Sequence, residues 1–525
     1  MLKAMKSSTV SLTRPPFRLF FAAAVFFSAS PALPAAPAYS QLWGEAGEKW
    51  SAAGRLPDFS RAGYHQGERP IPELPRATNV RDFGALGDGT TDDTKAIQAA
   101  IDSTPAGTIY LPPGRYLVSD FIRITRSGVV LRGAGPEQSI LWFPRGLDAI
   151  HPRARKTATG GPASGYSFDG AFVTLEGNTQ SKKIAAVTAV AQRGEHEIEV
   201  DRIAGLTVGQ LVLLVVGETP DQSLKTYLYN GDPGDIAKGK QRGTQQLFRI
   251  TAITGLRVTV DRPLRFETRT EWRPELRTFN PTVTESGIEH LGFAFPGTKY
   301  RGHFKEDGYN AIELRAVFNC WIRDVAIHNG DLGVNVVATH NTLDGILLTA
   351  DIARGTVDAG VPDCTGHHAI QLKNSEDNLV TNFDVRAPYV HDLSVERASG
   401  NVFAQGRGTD LNFDHHKDTP YENLFTDIDC GRGTRVWRNG GGPSLGRPSA
   451  GWSTFWNIRA AGFIAPPPKG WGPTTMNFVA VRTKHPSKTD GTAPWWEAIS
   501  PASLEPANLH AAQFSRRLSE KKQGL

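Results

Sequence analysis

The sequence has too few cysteines for a disulfide framework. Its 525 residues include only three, Cys320, Cys364 and Cys430, whereas small exported folds held by disulfides carry an even and denser set. CxxC and HExxH spacings, which are typical of thiol-redox and zinc sites, do not occur. These site types are therefore excluded, and the cysteines are expected as small buried side chains, with one disulfide left open.

Long apolar runs are missing after residue 38. Before it, four cations (Lys3, Lys6, Arg14 and Arg18) precede the apolar run 19–27, and Ala36-Pro37-Ala38 resembles a cleavage box. This order predicts a signal peptide over residues 1–38, with secretion or export to a bacterial periplasm. No later run reaches about 18 apolar residues, so no membrane association is expected after cleavage.

The chain lacks a real excess of positive charge. Its formal net charge is +5, from 58 basic and 53 acidic residues. Four of the basic residues lie in the predicted signal peptide, which leaves 54 against 53. The remaining sequence has no basic stripe, so a nucleic-acid partner is not expected.

Turn-forming residues are abundant while methionine is rare, with 54 glycines and three methionines. This composition favours an all-β chain. Residues 39–77 are interpreted as an extended lead-in. Residues 183–268 contain short alternating strands separated by Gly and Asp turns, which predict a small antiparallel β domain inserted into a larger fold.

A dense motif follows the lead-in. Residues 82–101 read DFGALGDGTTDDTKAIQAAI, and residues 109–116 read IYLPPGRY. The first string predicts a Gly/Asp turn followed by a short helix that Thr91 or Asp92 caps. The second predicts two strands joined by a Pro-Pro-Gly turn.

This motif resembles the opening of the pectate-lyase-like β-helix superfamily, which includes polygalacturonases, polysaccharide lyases, uronan epimerases and phage tailspikes. The resemblance covers residues 78–135 closely and implies a right-handed single-stranded parallel β-helix. Asp92 and Asp93 are accordingly expected to cap the first helix and not to act as catalytic acids. Only a fragment of the motif set typical of polygalacturonases is present, and the DPHE sequence typical of alginate epimerases does not occur.

The C-terminal half repeats with a period in the low twenties. Its apolar anchors are separated by 22, 36, 23, 20 and 23 residues, the longest interval containing a Gly/Asp-rich interruption near residues 354–365. A period of this length with short strands predicts a β-solenoid. The anchors are Ile312, Val334, Ile370, Leu393, Phe413 and Val436.

The predicted organisation therefore has six parts. Residues 1–38 are the signal peptide, 39–77 the lead-in, 78–182 the N-terminal cap and first coils, 183–268 the inserted β domain, 269–485 the main coils, and 486–525 a polar C-terminal tail. A monomer is expected.

Alternation along each strand predicts a functional face. Because successive residues of a strand point to opposite sides, side chains next to inward anchors form an outward row. The expected catalytic residues are His416, His415, Lys373, Asp414, Glu396 and Lys417. The expected substrate-binding residues are Glu313, Arg315, Asn335, Gln371, His391, Asn412, Arg435 and Trp437.

Two enzymatic mechanisms and one binding role fit this row. A lyase would use His416 or His415 as the base and Lys373, Lys417 or Arg435 to neutralise a uronate carboxylate. A glycoside hydrolase would use paired carboxyls such as Glu396 with Asp414. A non-catalytic carbohydrate-binding β-helix is the third interpretation. The lyase is favoured, with a polysaccharide partner that includes anionic glycans; no metal ligands are assigned, and a calcium requirement is left open.

Overall fold

The computed structural model describes residues 36–157, 159–236 and 242–523. The predicted signal peptide therefore lies outside the described residues, apart from its last three positions. Over the described ranges, no helix combines the length and apolarity that crossing a bilayer would need.

Parallel coils stack into a β-helix, and one of its faces is a sheet that we call the short sheet. Ile312 pairs with Val334, Val334 with Ile370, Ile370 with Leu393, and Leu393 with Phe413. The predicted register of these anchors is therefore confirmed. In spatial order, the strands of the short sheet are Phe413–His415, Tyr389–Glu396, Gly366–Lys373, Leu332–Thr339, Asn310–Phe318, Val173–Glu176 and Ile122–Ile124.

A second parallel sheet, the long sheet, forms the other wall. Several of its strands bend midway at residues with positive φ, such as His290, Asp324 and Gly345 on successive coils. The main strands are Arg76–Asn79, Gly107–Tyr110, Val129–Arg132, Gly287–Ala294, Trp321–His328, Thr342–Thr349, Leu379–Thr381, Val402–Gly408, Leu424–Asp429, Thr454–Arg459, Asn477–Val481 and Trp495–Glu497. Asp88–Asp92, Gly114–Leu117, Ser139–Trp142 and Asp384–Val385 also pair within it.

The core between the sheets is built from stacked equivalents. Phe403, Phe425, Phe455 and Phe478 occupy one position on four coils, with successive ring centroids 5.0, 5.3 and 5.1 Å apart. This spacing follows the separation of about 4.8 Å between paired strands. One coil alone could not bury such rings, so the core depends on the stacking of coils.

Polar side chains stack at one corner of the coil in the same way. Asn341, Asn378, Asn401 and Asn423 are fully buried, and each of the first three donates from Nδ2 to Oδ1 of the next at 3.0–3.1 Å. Their Oδ1 atoms also accept backbone N–H groups of the preceding coil. The ladder satisfies backbone groups that a tight corner would otherwise leave unpaired.

The predicted inserted β domain is present, with a later boundary than expected. Its strands are antiparallel and include Glu275–Thr278, which was assigned to the main coils. In spatial order the strands are Lys183–Ala186, Glu275–Thr278, Leu211–Val216, Thr244–Thr254, Arg257–Val260 and Glu197–Glu199. Buried ion pairs of Arg262 and Arg265 with Asp377 join the insertion to the coils.

The lead-in and the C-terminal segment, as far as the structure describes them, both pack on the long sheet. Residues Leu509–Gln523 form a helix, and Leu504–Glu505 pairs in parallel with Ala38–Tyr39. Gln513 bonds the backbone of Phe59 and Pro57 in the lead-in. The lead-in and C-terminal helix thus cover the outer face of the long sheet together and bury its apolar residues, such as Val402, Leu424 and Trp456.

The remaining elements are short apart from the N-terminal cap helix, Thr94–Ser103. In the cap, Asp92 accepts the backbone N–H of Thr94, while Asp93 accepts those of Leu86 and Gly87 and so holds the preceding turn. The other helices are Leu147–Ile150 and Ser223–Leu228, with 3-10 turns at Tyr64–Gly67, Val80–Phe83, Gly165–Ser167, Thr270–Trp272 and Ile352–Arg354. The small pairs are Ala154–Lys156 with Pro162–Ser164, Thr179–Gln180 with Asn280–Pro281, and Thr356–Asp358 with Val361–Cys364.

The three cysteines, all in the described part of the chain, are buried and unpaired. The predicted fold class, an all-β right-handed parallel β-helix with a small antiparallel insertion, is confirmed.

Candidate active site

A cleft of about 410 Å³ lies over the C-terminal strands of the short sheet. In strand Gly366–Lys373, the consecutive residues Ala369 and Ile370 both face the core. This break in alternation lets His368 and Gln371, on either side of it, both line the cleft. Loops around Phe168, Phe304 and residues 438–445 form the walls.

Asp414 and His416 form a hydrogen-bonded pair at the base of the cleft. Asp414 Oδ2 lies 2.7 Å from His416 Nδ1. Ser394 Oγ donates to the same oxygen at 2.9 Å, and the Gly440 N–H donates to Oδ1 at 2.6 Å. Asp414 is fully buried, while the His416 side chain keeps 18% of its surface exposed. The carboxylate is therefore held in place, and the imidazole reaches the cleft.

The pair also changes the acidity of both groups. Burial alone would lower the pKa of His416, but the Asp414 carboxylate raises it above its usual value. Burial alone would raise the pKa of Asp414, but His391 and His416 hold it well below its ordinary range. The carboxylate is thus ionised and stabilises a proton on the His416 ring.

Further histidines surround this pair. The His391 ring centroid lies 4.9 Å from that of His416 and 4.8 Å from that of His368. His367 stacks on His368 at 4.2 Å, and His303 meets His367 edge-on at 4.3 Å. Burial lowers the pKa of His303 to about 3 and those of His368 and His391 well below their usual value.

A second carboxylate contacts this cluster from the loop before strand Asn310–Phe318. Glu306 Oε1 lies 3.1 Å from His367 Nδ1 and accepts the Tyr300 hydroxyl at 2.9 Å. Burial would raise the pKa of Glu306, but His367 lowers it to about 2. Two ionised carboxylates, Glu306 and Asp414, therefore contact the histidine cluster.

Lys373 and its ion-pair partner Glu396 lie beside His416. Lys373 Nζ is 3.2 Å from Glu396 Oε2, and Arg397 contacts the other oxygen of Glu396 at 3.1 Å. Lys373, Glu396, His416 and Arg438 all line the cleft. The cleft thus presents positive groups next to a histidine, which suits an anionic ligand.

Gly440 allows its loop to approach the histidines. A Cβ atom at this position would lie 2.4 Å from His416 Cε1 and 2.6 Å from His391 Cε1. Any side chain would therefore displace one of the two rings or break the Gly440–Asp414 bond.

Three predicted site residues are buried and do not line the cleft, which corrects their assignment. His415 is fully buried and packs against Phe425 and Trp471 in the core. Trp437 packs edge-on against Phe455 at 4.9 Å and is 7% exposed. Asn412 is fully buried; its backbone N–H bonds Asp392 Oδ2, and its Oδ1 accepts the Asp392 N–H.

Other predicted residues lie outside the lining of the cleft. Glu313 Oε1 accepts hydrogen bonds from Asn335 at 2.6 Å and Arg315 at 2.8 Å on earlier coils. Arg435 pairs with Asp392 at 2.6 Å. Lys417 Nζ is 3.5 Å from the Gly442 carbonyl. Of the predicted row, Gln371, Lys373, His391, Glu396 and His416 line the cleft, and Asp414 lies directly beneath it.

The residues that sequence reasoning missed come mainly from loops. His303, Glu306 and Arg438 lie between strands, where no repeat period applies. His368 and His391 are register partners on adjacent strands, and their separation of 23 residues matches the coil period. The loop residues had no comparable signal.

Comparison with known protein sequences matches a limited part of the chain. Residues 77–172 match the family model described as rhamnogalacturonase A/epimerase, pectate lyase-like. Mannuronan C5-epimerase AlgE5 of Azotobacter vinelandii is 41% identical over 109 residues, which are 19% of this chain and 11% of that protein. Alginate lyase 7 of the same organism is 40% identical over 109 residues, 19% of this chain and 12% of that protein. The matches thus span about a tenth of these curated relatives.

Among solved structures, the tailspike protein gp49 from Pseudomonas phage LKA1 is 14% identical, with a TM-score of 0.40 over 80% of this chain and 69% of that one. The family match over residues 77–172 and the stacked parallel coils confirm the predicted resemblance to the pectate-lyase-like β-helix superfamily.

Proposed function

We propose that the protein is an exported polysaccharide lyase that cleaves a uronate-containing glycan by β-elimination. The observation that carries the proposal is the Asp414–His416 pair, in which a buried carboxylate orients an imidazole that reaches the cleft. A histidine held in this way can accept a proton from a bound substrate.

The reaction requires one proton acceptor and one proton donor. His416 removes the proton alpha to the uronate carboxylate, and the released electron pair forms a carbon–carbon double bond. The glycosidic carbon–oxygen bond on the adjacent carbon breaks, and its oxygen takes up the proton that His416 has removed, so that His416 returns to its starting state. The proton on His416 is stabilised by Asp414, whose two oxygens are fixed by Ser394 and Gly440.

Removal of that proton also needs stabilisation of the negative charge that develops on the carboxylate. Arg438 lines the same cleft as His416, together with Lys373, which is paired with Glu396. Cations held in a partly buried site stabilise such a charge more strongly than in water. The relatives named for mannuronan and alginate support an anionic polysaccharide as the substrate class.

Hydrolysis receives less support from this geometry. It would need two carboxyls able to act as acid and as base or nucleophile. Asp414 already accepts bonds from Ser394, His416 and Gly440, and Glu396 is paired with Lys373 and Arg397. Neither carboxylate is free to approach a sugar without breaking its own contacts.

The test is incubation of the purified protein with a panel of uronate polysaccharides. We expect an increase in the ultraviolet absorbance of unsaturated uronate ends, in step with new reducing ends. New reducing ends without that absorbance would indicate hydrolysis, and inverted uronate residues without chain cleavage would indicate epimerisation. Either result would contradict the proposal.

A matched pair of variants links any activity to the cleft. His290 on the long sheet forms the same contact as His416, with Nδ1 2.7 Å from Asp324 Oδ2, but does not line the cleft. We expect His416→Ala to abolish product formation and His290→Ala to leave it unchanged. Equal activity in both variants would remove His416 as the base.

A further inference from the structure

Three histidines at one end of the cleft have no role in the proposed reaction. They are His303, His367 and His391, and they come from a loop and from two adjacent strands of the short sheet. One ligand atom from each lies within 4.8 Å of those of the other two. In a tetrahedral zinc site with Zn–N distances of about 2.1 Å, ligand nitrogens lie about 3.4 Å apart. Small side-chain rotations therefore bring the three nitrogens to that separation.

Two of these histidines are already oriented by carboxylates. His367 Nδ1 lies 3.1 Å from Glu306 Oε1, and His391 Nδ1 lies 3.2 Å from Asp414 Oδ2. Histidines that bind metals commonly contact a carboxylate through the ring nitrogen that does not hold the metal. Such a contact fixes the ring and leaves its opposite nitrogen available as a ligand.

The same two nitrogens are buried without a hydrogen bond. The side chains of His367 and His391 are 3% and 4% exposed, and neither Nδ1 makes an aligned hydrogen bond in the described residues. The contacts of Nδ1 are therefore ion-pair contacts with Glu306 and Asp414, and the ring nitrogen that remains for a metal is Nε2.

We propose that His303, His367 and His391 bind a divalent transition-metal ion of the Zn²⁺ type. Imidazole nitrogens suit such ions, whereas Ca²⁺ takes oxygen ligands. Three protein ligands leave a fourth position, as in catalytic zinc sites. Because His303 and His367 both line the cleft, that position is open to a ligand bound there.

A neighbouring group, His391 with Asp414 and His416, has similar separations. Its carboxylate is already engaged, since Asp414 accepts bonds from Ser394, His416 and Gly440. A metal in this group would displace contacts that the fold makes, whereas the first group would gain a partner. The geometry therefore assigns the metal to His303, His367 and His391.

The inference does not depend on the proposed reaction, because binding is measured on the resting protein. The full chain is stripped with a chelator, dialysed against Zn²⁺ and analysed for bound metal. We expect one Zn²⁺ per chain. Replacement with Co²⁺ is expected to give the intense visible absorption of a tetrahedral nitrogen-ligated ion. Stripped protein that takes up no Zn²⁺ would overturn the proposal, whatever its activity on polysaccharides.

Variants separate the two groups of ligands. His303→Ala removes a loop side chain that is only partly buried, so the fold is expected to persist, and circular dichroism checks this. We expect His303→Ala and His367→Gln each to weaken Zn²⁺ binding at least about tenfold. His416→Ala is expected to retain the metal. Loss of Zn²⁺ in His416→Ala with retention in His303→Ala would overturn the assignment.

Discussion

Asp414 Oδ2 lies 2.7 Å from His416 Nδ1, although the two residues are only two positions apart in the chain. Alternation along the strand Phe413–His415 and its continuation places both side chains on the cleft side of the short sheet, while His415 faces the core. In this arrangement the Asp414 carboxylate holds Nδ1 of His416, and the rest of the ring faces the cleft.

The first prediction concerns the carboxylate of this pair. Asp414→Asn keeps the size of the side chain but removes the charge that raises the pKa of His416. We expect product formation to fall by about 10²–10⁴-fold, the usual contribution of a general base. Initial rates of unsaturated-product formation provide the measurement.

Asp324→Asn is the matched control, because Asp324 forms the equivalent contact with His290 on the long sheet. Its rate should equal that of the unmodified protein. If Asp414→Asn retained the full rate, the carboxylate would have no part in activating His416.

The second prediction separates His415 from His416. His415 is fully buried among Phe425, Phe455 and Trp471, so His415→Ala leaves a cavity in the core. We expect the free energy of unfolding to fall by about 2–4 kcal/mol, as for other large-to-small core changes. The measurement is denaturant unfolding together with the specific activity of the folded fraction.

That specific activity is expected to stay unchanged in His415→Ala. A loss comparable to that of His416→Ala, in protein shown to be folded, would contradict the placement of His415 as a core residue without a chemical role.

The register of the coils could be predicted because burial imposes it. Ile312, Val334 and Ile370 must stack to build a core, and their spacing is visible in the sequence. The outward row was less predictable, because strict alternation fails at Ala369 and Ile370, which both face inward. The sequence gives no local sign of that break.

The loop residues of the site were beyond sequence reasoning. His303 and Arg438 reach the cleft from segments whose conformation depends on tertiary contacts, not on a repeat. Trp437 shows the opposite error: an aromatic near polar residues was expected to contact sugar, yet it is 7% exposed and packs in the core. Large aromatic side chains bury so much apolar area that the core competes strongly for them.

The third prediction concerns the asparagine ladder. Asn401 Oδ1 accepts the backbone N–H and the Nδ2 of Asn378, and its own Nδ2 donates to Asn423. Asn401→Ala leaves the buried backbone N–H of Asn378 without a partner and removes one hydrogen bond each from Asn378 Nδ2 and Asn423 Oδ1, so we expect a loss of about 2–4 kcal/mol in the free energy of unfolding. Chemical denaturation measures this loss.

Asn280→Ala is the comparison, because Asn280 is exposed on a short strand. Its effect should stay within about 0.5 kcal/mol. Equal effects of the two substitutions would show that the ladder adds nothing to stability.

The fourth prediction concerns the pH dependence of stability. Glu376 is buried, its Oε2 has no hydrogen bond in the described residues, and burial together with the neighbouring Asp377 raises its pKa to about 8. In the unfolded chain the carboxyl returns to its usual pKa of about 4.5. Below the pKa of the unfolded state, Glu376 is protonated in both the folded and the unfolded protein, so it does not change the pH dependence of the free energy of unfolding.

As the pH rises from about 4.5 to about 8, the unfolded state releases its proton while the folded state keeps it, so Glu376 makes the fold progressively less stable. Each tenfold difference in proton affinity corresponds to about 1.4 kcal/mol. Glu376→Gln keeps a neutral side chain at every pH, and we expect it to remove this decline. Unfolding free energies of both proteins, measured across this interval, should therefore diverge in favour of the variant. A constant difference between them would mean that Glu376 ionises in the folded protein as readily as in water.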